Sequence, residues 1–124
     1  YCSFFAIIDS QDNKFIGTIK VNYLNDVGLV TRIADIGIMI GDREYWGKGI
    51  ATDTLFAICQ YAFDILGARK LTAGAADGNV AVINAFQKIG FSEEGRLREK
   101  LFISGMYMDH VLLGCFRGEL RCAN

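Results

Sequence analysis

The chain has 124 residues, about one average domain, which argues against a separate cofactor module. Thirteen Lys and Arg against fourteen Asp and Glu leave a net charge of −1 with His neutral, too balanced for a phosphate-backbone binder or a basic membrane-surface helix. At 52% hydrophobic and 22% charged residues the composition is that of a folded globular domain, not a disordered chain.

Apolar runs such as residues 36–40 fall far short of the ~18 residues a bilayer span requires, so no membrane partner is expected. The start, Tyr1-Cys2-Ser3-Phe4-Phe5, has no basic region and meets Asp9 before a signal core could form. Cys2, Cys59, Cys115 and Cys122 make no CxxC pair, and the single His110 cannot complete a Cys/His zinc set. They read as reduced thiols of a cytoplasmic protein that holds no metal. Tyr1 reads as mid-strand sequence, and the expectation is one domain, residues 1–124, whose first strand and first helices precede it.

In chain order, residues 3–8 are an apolar run closed by the polar cluster 9–14, a strand followed by a hairpin loop. Residues 15–24 alternate, with Phe15, Gly17, Ile19, Val21 and Tyr23 on one side, and give a second strand with one wetter face. Asn25-Asp26-Val27-Gly28 turns the chain, and residues 31–41 return as a third strand in an antiparallel meander. From residue 47 to 66 the period becomes helical, with Ala51, Leu55, Ile58, Ala62 and Leu66 on one face and Gly67 as the stop. Residues 69–76 form a short buried strand. Asn79 then caps a second helix whose inner face is Ala81, Ala85, Phe86 and Ile89, ended by Gly90 at C′ and Phe91 at C″. A hairpin of residues 97–103 and 106–116 turns at Ser104-Gly105. The order β-β-β-α-β-α-β-β predicts an α+β (α/β) fold with antiparallel flanks and one helical crossover between the third and fourth strands. Pro is absent, so every stop is a Gly or a polar cap.

The chemistry concentrates where the third strand runs into the first helix, Ile36-Gly37-Ile38-Met39-Ile40-Gly41-Asp42-Arg43-Glu44-Tyr45-Trp46-Gly47-Lys48-Gly49-Ile50-Ala51-Thr52. Glycines at a helix N-terminus, where N–H groups are unpaired and the dipole is positive, invite an anion. A P-loop fails because Gly49 follows Lys48, and a Rossmann fingerprint fails because Thr52 stands where Gly is needed. What remains is an acyl-coenzyme A loop, with the pyrophosphate on N–H groups from Trp46 through Ala51, or a Gly-x-Gly serving turn geometry alone.

Three blocks resemble the GNAT N-acetyltransferase superfamily: residues 34–40, residues 45–52, and Asn79 through Lys88-Ile89-Gly90-Phe91. A fourth, Glu94-Gly95-Arg96 through Gly105, Asp109 and His110, is similar to the closing hairpin of the ribosomal-protein N-terminal acetyltransferase branch. The resemblance spans roughly residues 15–116. It implies a mixed, largely antiparallel sheet in which the third strand lies parallel to the fourth and splays from it at one end. The pantetheine arm of acetyl-CoA would enter that wedge and pair with the backbone of Gly37, Ile38, Met39 and Ile40. Tyr45, Trp46, Gly47, Lys48, Gly49, Ile50 and Ala51 would form the pyrophosphate loop. Asn79 would serve the pantetheine as well as the helix cap, Phe86 would be a wall against the arm, and Lys88 would assist the phosphates or remain a solvated helix charge.

The implied reaction is direct attack of a primary amine on the thioester carbonyl. Asp35 stands where the family often carries Glu and is the candidate base or amine anchor, with a hydrogen-bonded strand carboxylate as the plain alternative. Phe86 occupies the place of the family's Tyr acid and cannot donate a proton, which passes that role to water, Tyr107, Tyr45, another hydroxyl or the product ammonium. Glu44 and Val82 also depart from the family's pattern. Cys59 and Cys115 read as core. His110 beside Asp109 reads as structural, because adjacent strand residues point to opposite faces. Peptide N-termini, amino sugars and polyamines all fit as acceptor, with the resemblance favouring a peptide α-amine, and an uncovered edge would favour a homodimer. The rival reading is a non-catalytic coenzyme A-binding or interaction module of the same fold.

Overall fold

A computed structural model of the protein describes residues 2–8, 11, 13–23, 31–40 and 49–122. Strands β1 (Cys2–Ile8), β2 (Phe15–Tyr23) and β3 (Ile33–Ile40) precede helix α1 (Ile50–Asp64). Strand β4 (Lys70–Ala76), helix α2 (Val80–Lys88) and the hairpin β5 (Ser92–Ile103) and β6 (Met106–Phe116) follow. The six strands form one sheet in the order β1-β2-β3-β4-β6-β5, and β3–β4 is its parallel contact. The expected α+β class, the meander, the crossover and the closing hairpin are all present.

One face of the sheet carries the core. Ile19 and Val21 of β2, Ala34 and Ile36 of β3, Leu71 and Ala73 of β4, and Val111, Leu113 and Cys115 of β6 are buried, as the period of two demands. Helix α1 buries Ala51, Leu55, Cys59, Ala62 and Phe63 in the same core, while Ile58 and Leu66 are only half-buried. In α2 the inner face is Val82, Ala85, Phe86 and Ile89, a strict i, i+3, i+4, i+7 stripe. Ala81 is exposed, against expectation, because it stands one residue, about 100°, off that stripe. No helix among the described residues is long and apolar enough to cross a membrane.

Both helix ends follow from local chemistry. Asn79 caps α2, its Oδ1 accepting from the Val82 N–H at 3.4 Å. At the other end Phe91 N–H donates to the Phe86 carbonyl (3.0 Å) and Gly90 N–H to the Gln87 carbonyl (3.1 Å). The Phe86 and Phe91 rings meet edge-on at 4.8 Å. These are the two bonds and the apolar contact of a Schellman ending, with Gly90 at φ 113 as C′. Helix α1 stops before Gly67, which takes φ 75.

Strand β5 begins at Ser92, five residues earlier than the apolar pattern indicates. Its Ser-Glu-Glu-Gly-Arg opening has no apolar period, and pairing to β6 makes it a strand despite that composition. As an edge strand it is almost wholly exposed, which suits its charges. It is also bulged twice, between Glu93 and Gly95 and between Leu97 and Leu101. At the second bulge the Asp109 carboxylate accepts the Glu99 N–H at 3.0 Å, which occupies Asp109 on β5. Ser104 and Gly105 both take positive φ (52 and 78), the geometry of a two-residue I′ turn.

Gly90 and Gly105 make a paired stability test. A Cβ on Gly105 would meet nothing within 4 Å, whereas one on Gly90 would lie 2.1 Å from the Glu119 carbonyl oxygen. Gly105→Ala should therefore cost only the left-handed backbone penalty, about 1–2 kcal/mol. Gly90→Ala adds about 1–3 kcal/mol of overpacking. Urea unfolding of both variants measures the difference, and equal losses would refute the steric account.

Candidate acetyl-transfer site

The parallel ladder between β3 and β4 has three rungs, Ile33–Lys70, Ala34–Leu71 and Asp35–Thr72, and then stops. Beyond it each strand keeps its outer partner: β3 stays paired to β2 as far as Ile40–Gly17, and β4 to β6 as far as Ala76–His110. Among the described residues the β4-facing edge of residues 36–40 therefore has no strand partner, which leaves its backbone groups to bind something else. This is the fork that the resemblance implies, and Asp35 stands at its vertex.

Side-chain alternation places Asp35, Gly37, Thr72, Gly74 and His110 on the sheet face opposite the helices. The Thr72 hydroxyl donates to Asp35 Oδ1 at 2.7 Å across the last rung. Over the fork lies a cavity of about 600 Å³ lined by Lys20, Asp35, Thr72, Glu94 and His110, with the glycines 37 and 74 in its floor. Two of its walls reach in from outer strands. His110 of β6 lies across Gly74, where a Cβ would stand 2.3 Å from its Nε2. Glu94, the extra residue of the first β5 bulge, lies across Gly114 (a Cβ there would be 2.4 Å from its Cδ) and pairs with Lys70 Nζ at 2.9 Å.

Burial pushes the Asp35 carboxyl above its usual range, while the Thr72 hydrogen bond and the charges of Lys20 and His110 pull it partly back. The two buried thiols are poor nucleophiles. Burial, with Cys115 adding to it, drives the Cys59 thiol far up, and burial with Glu119 raises Cys115 to about 11. Both belong to the core, as the sequence indicates.

Both helices point their N-termini toward the open end of the fork, because α1 leads back to the start of β4 and α2 follows the end of β4. Hydrogen bonding within α1 begins with Asp53 N–H to Gly49 O at 2.9 Å, so the N–H groups of Ile50, Ala51 and Thr52 have no intrahelical acceptor. Gly49 takes φ 77, a conformation that suits glycine. Tyr45, Trp46, Gly47 and Lys48, with residues 41–44, lie outside the described residues.

The remaining sequence candidates separate. Gly37, Ile38, Met39 and Ile40 line the free edge of β3, with the Met39 side chain 72% exposed. Lys88 is exposed on the last turn of α2, where it complements the helix dipole. Phe86 is not a wall of the cleft: its ring is 1% exposed and held against Phe91, so the Schellman contact assigns it to the core. Tyr107 is 67% exposed near the hairpin turn, its ring 4.9 Å from Phe102, and does not line the Asp35 cavity. Alternation sends it to the opposite face from His110. Thr72 and Lys20 escaped the sequence reading, and Glu94 and His110 entered it only through the closing hairpin, without a role in the site. For His110 the signal was present but attached to the wrong neighbour, Asp109, when its companions stand across the sheet.

A carboxyl whose folded-state pKa is raised binds its proton more tightly when folded. It contributes no penalty while protonated and destabilises the fold as pH rises through that pKa. Asp35→Asn should therefore melt higher than the parent at pH 7, and the gap should close as pH falls below the ordinary carboxylate value of about 3.9. Thermal melts across pH 3–8 measure it, and a variant less stable at pH 7 would refute burial as the dominant influence.

Residues 1–92 match the family profile described as Acetyltransferase (GNAT) domain. A Bacillus subtilis (strain 168) relative, YdaF, which carries a ribosomal N-acetyltransferase name, is 34% identical over 108 residues, 87% of this chain and 57% of that protein. The spermidine N(1)-acetyltransferase of Vibrio cholerae is 33% identical over 107 residues, 85% of this chain and 58% of that protein. The chain thus spans less than two-thirds of these relatives' lengths. A crystal structure of spermidine N-acetyltransferase from Vibrio cholerae in complex with CoA and spermine superposes with a TM-score of 0.79 at 28% identity, covering 95% of this chain and 67% of that one. By its forked sheet, its glycine-flanked helix start and these matches, the chain belongs to the GNAT acetyltransferase family.

Proposed function

We propose that the protein carries out acetyl-CoA-dependent N-acetylation of a primary amine by direct attack, with the fork as the common seat of both substrates. The carrying observation is the loss of β3–β4 pairing immediately after the Asp35–Thr72 rung. An extended pantetheine arm has amides to offer the free edge of residues 36–40, as an added strand would. Its diphosphate would then lie toward the start of α1, where the N–H groups of Ile50 and Ala51 supply donors and the dipole supplies positive potential; the family resemblance adds Trp46 through Gly49 to that set. Asn79 and Lys88 are secondary contacts in this reading.

With the arm in the fork, the thioester carbonyl falls near the vertex and the amine approaches from the cavity on the other face. The attacking nitrogen must be neutral at the moment of attack, since an ammonium has no lone pair. Asp35, a half-buried carboxylate fixed by Thr72, can hold the incoming ammonium or take its proton. The bond formed is N–C, the bond broken is C–S, and one proton passes from nitrogen to the departing thiolate. That proton reaches the sulfur directly, through water or through a hydroxyl such as that of Tyr45, since Phe86 has no hydroxyl and Tyr107 does not line the cavity.

The acceptor is a primary amine. Relatives in Vibrio cholerae and Escherichia coli are named for spermidine, which supports placing polyamines beside peptide α-amines and amino sugars in the first substrate panel. Calorimetry should show saturable acetyl-CoA binding, and a thiol-release assay should show turnover with at least one member of the panel. Asp35→Asn should keep acetyl-CoA affinity within about twofold and lower kcat/KM for the amine by at least about tenfold. Binding without thiol release would favour a non-catalytic module, and the absence of saturable binding would remove the fork as a coenzyme A site.

A further inference from the structure

The Asp35 cavity holds a second ionisable group suited to the reaction, and nothing in the sequence pattern assigns it. We infer that His110 is the general base of the acceptor site and that Asp35 is the anchor for the incoming ammonium. The inference rests on the acetyl-transfer reading above and divides between two residues the roles that reading leaves to one.

The geometry supports the division. His110 sits at the last rung of the β4–β6 ladder, opposite Ala76, and its imidazole does not stand over its own strand. It lies inward across Gly74, a position no side chain could share, since a Cβ there would be 2.3 Å from Nε2 and 3.1 Å from Cε1. Gly74 is therefore the space that lets the ring reach the fork. Gly37 on β3 adds no side chain on the other side, so His110 and Asp35 flank one cavity floored by glycine. The charged groups lining that cavity with His110 are Lys20 of β2, Asp35 of β3 and Glu94 of β5, the last tied to Lys70 of β4. Glu94 is spoken for by Lys70. Asp35 already accepts from Thr72 on Oδ1 and feels the Lys20 charge, and these fix a carboxylate as an acceptor for an ammonium. The His110 Nε2 stands directly over Gly74, on the cavity side of the sheet.

Chemistry assigns the roles in the same direction. General-base efficiency peaks when the base's pKa lies near the working pH, and an imidazole, at a reference value of about 6.5, meets that condition better than a carboxylate. An ammonium substrate, RNH3+, gives one proton to the neutral imidazole to become RNH2. Attack on the thioester forms N–C and breaks C–S, the second nitrogen-bound proton passes to the thiolate, and the imidazolium returns its proton to water from the open face. The sum is RNH3+ plus acetyl-CoA giving the acetamide, coenzyme A thiol and one solvent proton.

The test compares His110→Gln, Asp35→Asn and Gly74→Ala in the full chain, using the amine that turns over best. His110→Gln should lower kcat about a hundredfold, leave the amine KM and the acetyl-CoA affinity within about twofold, and abolish the acidic limb of the kcat/KM profile. Asp35→Asn should instead raise the amine KM and keep that limb. Gly74→Ala, which displaces the ring, should reproduce the kcat loss of His110→Gln. Retained acetyl-CoA binding reports that each variant is folded. A His110→Gln enzyme with the parent's kcat and the parent's acidic limb overturns the assignment while leaving the acetyl-transfer reading intact. Failure of the parent itself to bind acetyl-CoA overturns both.

Discussion

The hydrogen bond from Thr72 to Asp35 closes the last rung at which β3 and β4 are still one sheet. Everything on the functional side depends on the sheet being whole up to that point and divided after it. A parallel pair is only slightly weaker per residue than an antiparallel one, so nothing intrinsic to parallel pairing ends the ladder after three rungs. Outer pairing does not end it either, since Ala34 and Asp35 pair with both neighbours; what it does is hold the two arms once they part, β3 to β2 through residues 34–40 and β4 to β6 along all seven of its residues. Each arm of the fork is held from outside. The gap is therefore a fixed feature of the fold, and the backbone groups facing it are positioned in advance of any ligand.

The two faces of the fork carry different physics. On the helix side Ala34, Ile36, Leu71 and Ala73 alternate into a core shared with α1 and α2, and burial of that apolar surface supplies the stability. On the other face the same strands present Asp35, Gly37, Thr72 and Gly74, residues that contribute little to a core and leave room above the sheet. The raised Asp35 pKa is a stability penalty at neutral pH that the helix-side core must outweigh. A penalised carboxylate at a strand vertex, with glycines around it, is the pattern expected where activity rather than packing has selected the residues.

Much of this was legible in the sequence because it is local. Turn chemistry at Ser104-Gly105, the Asn79 cap, the Gly90–Phe91 helix ending and the change from period two to helical period are all written in stretches of a few residues. What was not legible depends on register. The inner face of α2 takes Val82 in place of Ala81 while keeping Ala85, Phe86 and Ile89, because both residues are apolar and the stripe of period 3.6 runs through Val82. Strand β5 extends through a charged segment because β6 is there to pair with it. His110 was paired in sequence with Asp109, which in the fold is occupied by the Glu99 N–H, while its real neighbour Asp35 lies 75 positions upstream and two strands across the sheet. A site assembled from three or four strands is visible from the sequence only where a family resemblance names its members, as it did for Asp35 and for the free edge of β3.

Phe86 marks a departure from the family's pattern that the proposed chemistry can accommodate. A ring with no hydroxyl at that helix position closes one route for protonating the departing sulfur, and the structure gives the ring to the Schellman contact with Phe91 instead. The loss is tolerable because a thiol, with a reference pKa of about 8.5, is a competent leaving group near neutral pH and needs little acid assistance. An ammonium acceptor is less forgiving: a Lys-like amine, near 10.4, is almost wholly protonated at neutral pH and must lose a proton before it can attack at all. The demand for proton handling therefore falls on the nitrogen side of the reaction, which is the side of the sheet where Asp35, Lys20 and His110 converge over the glycine floor.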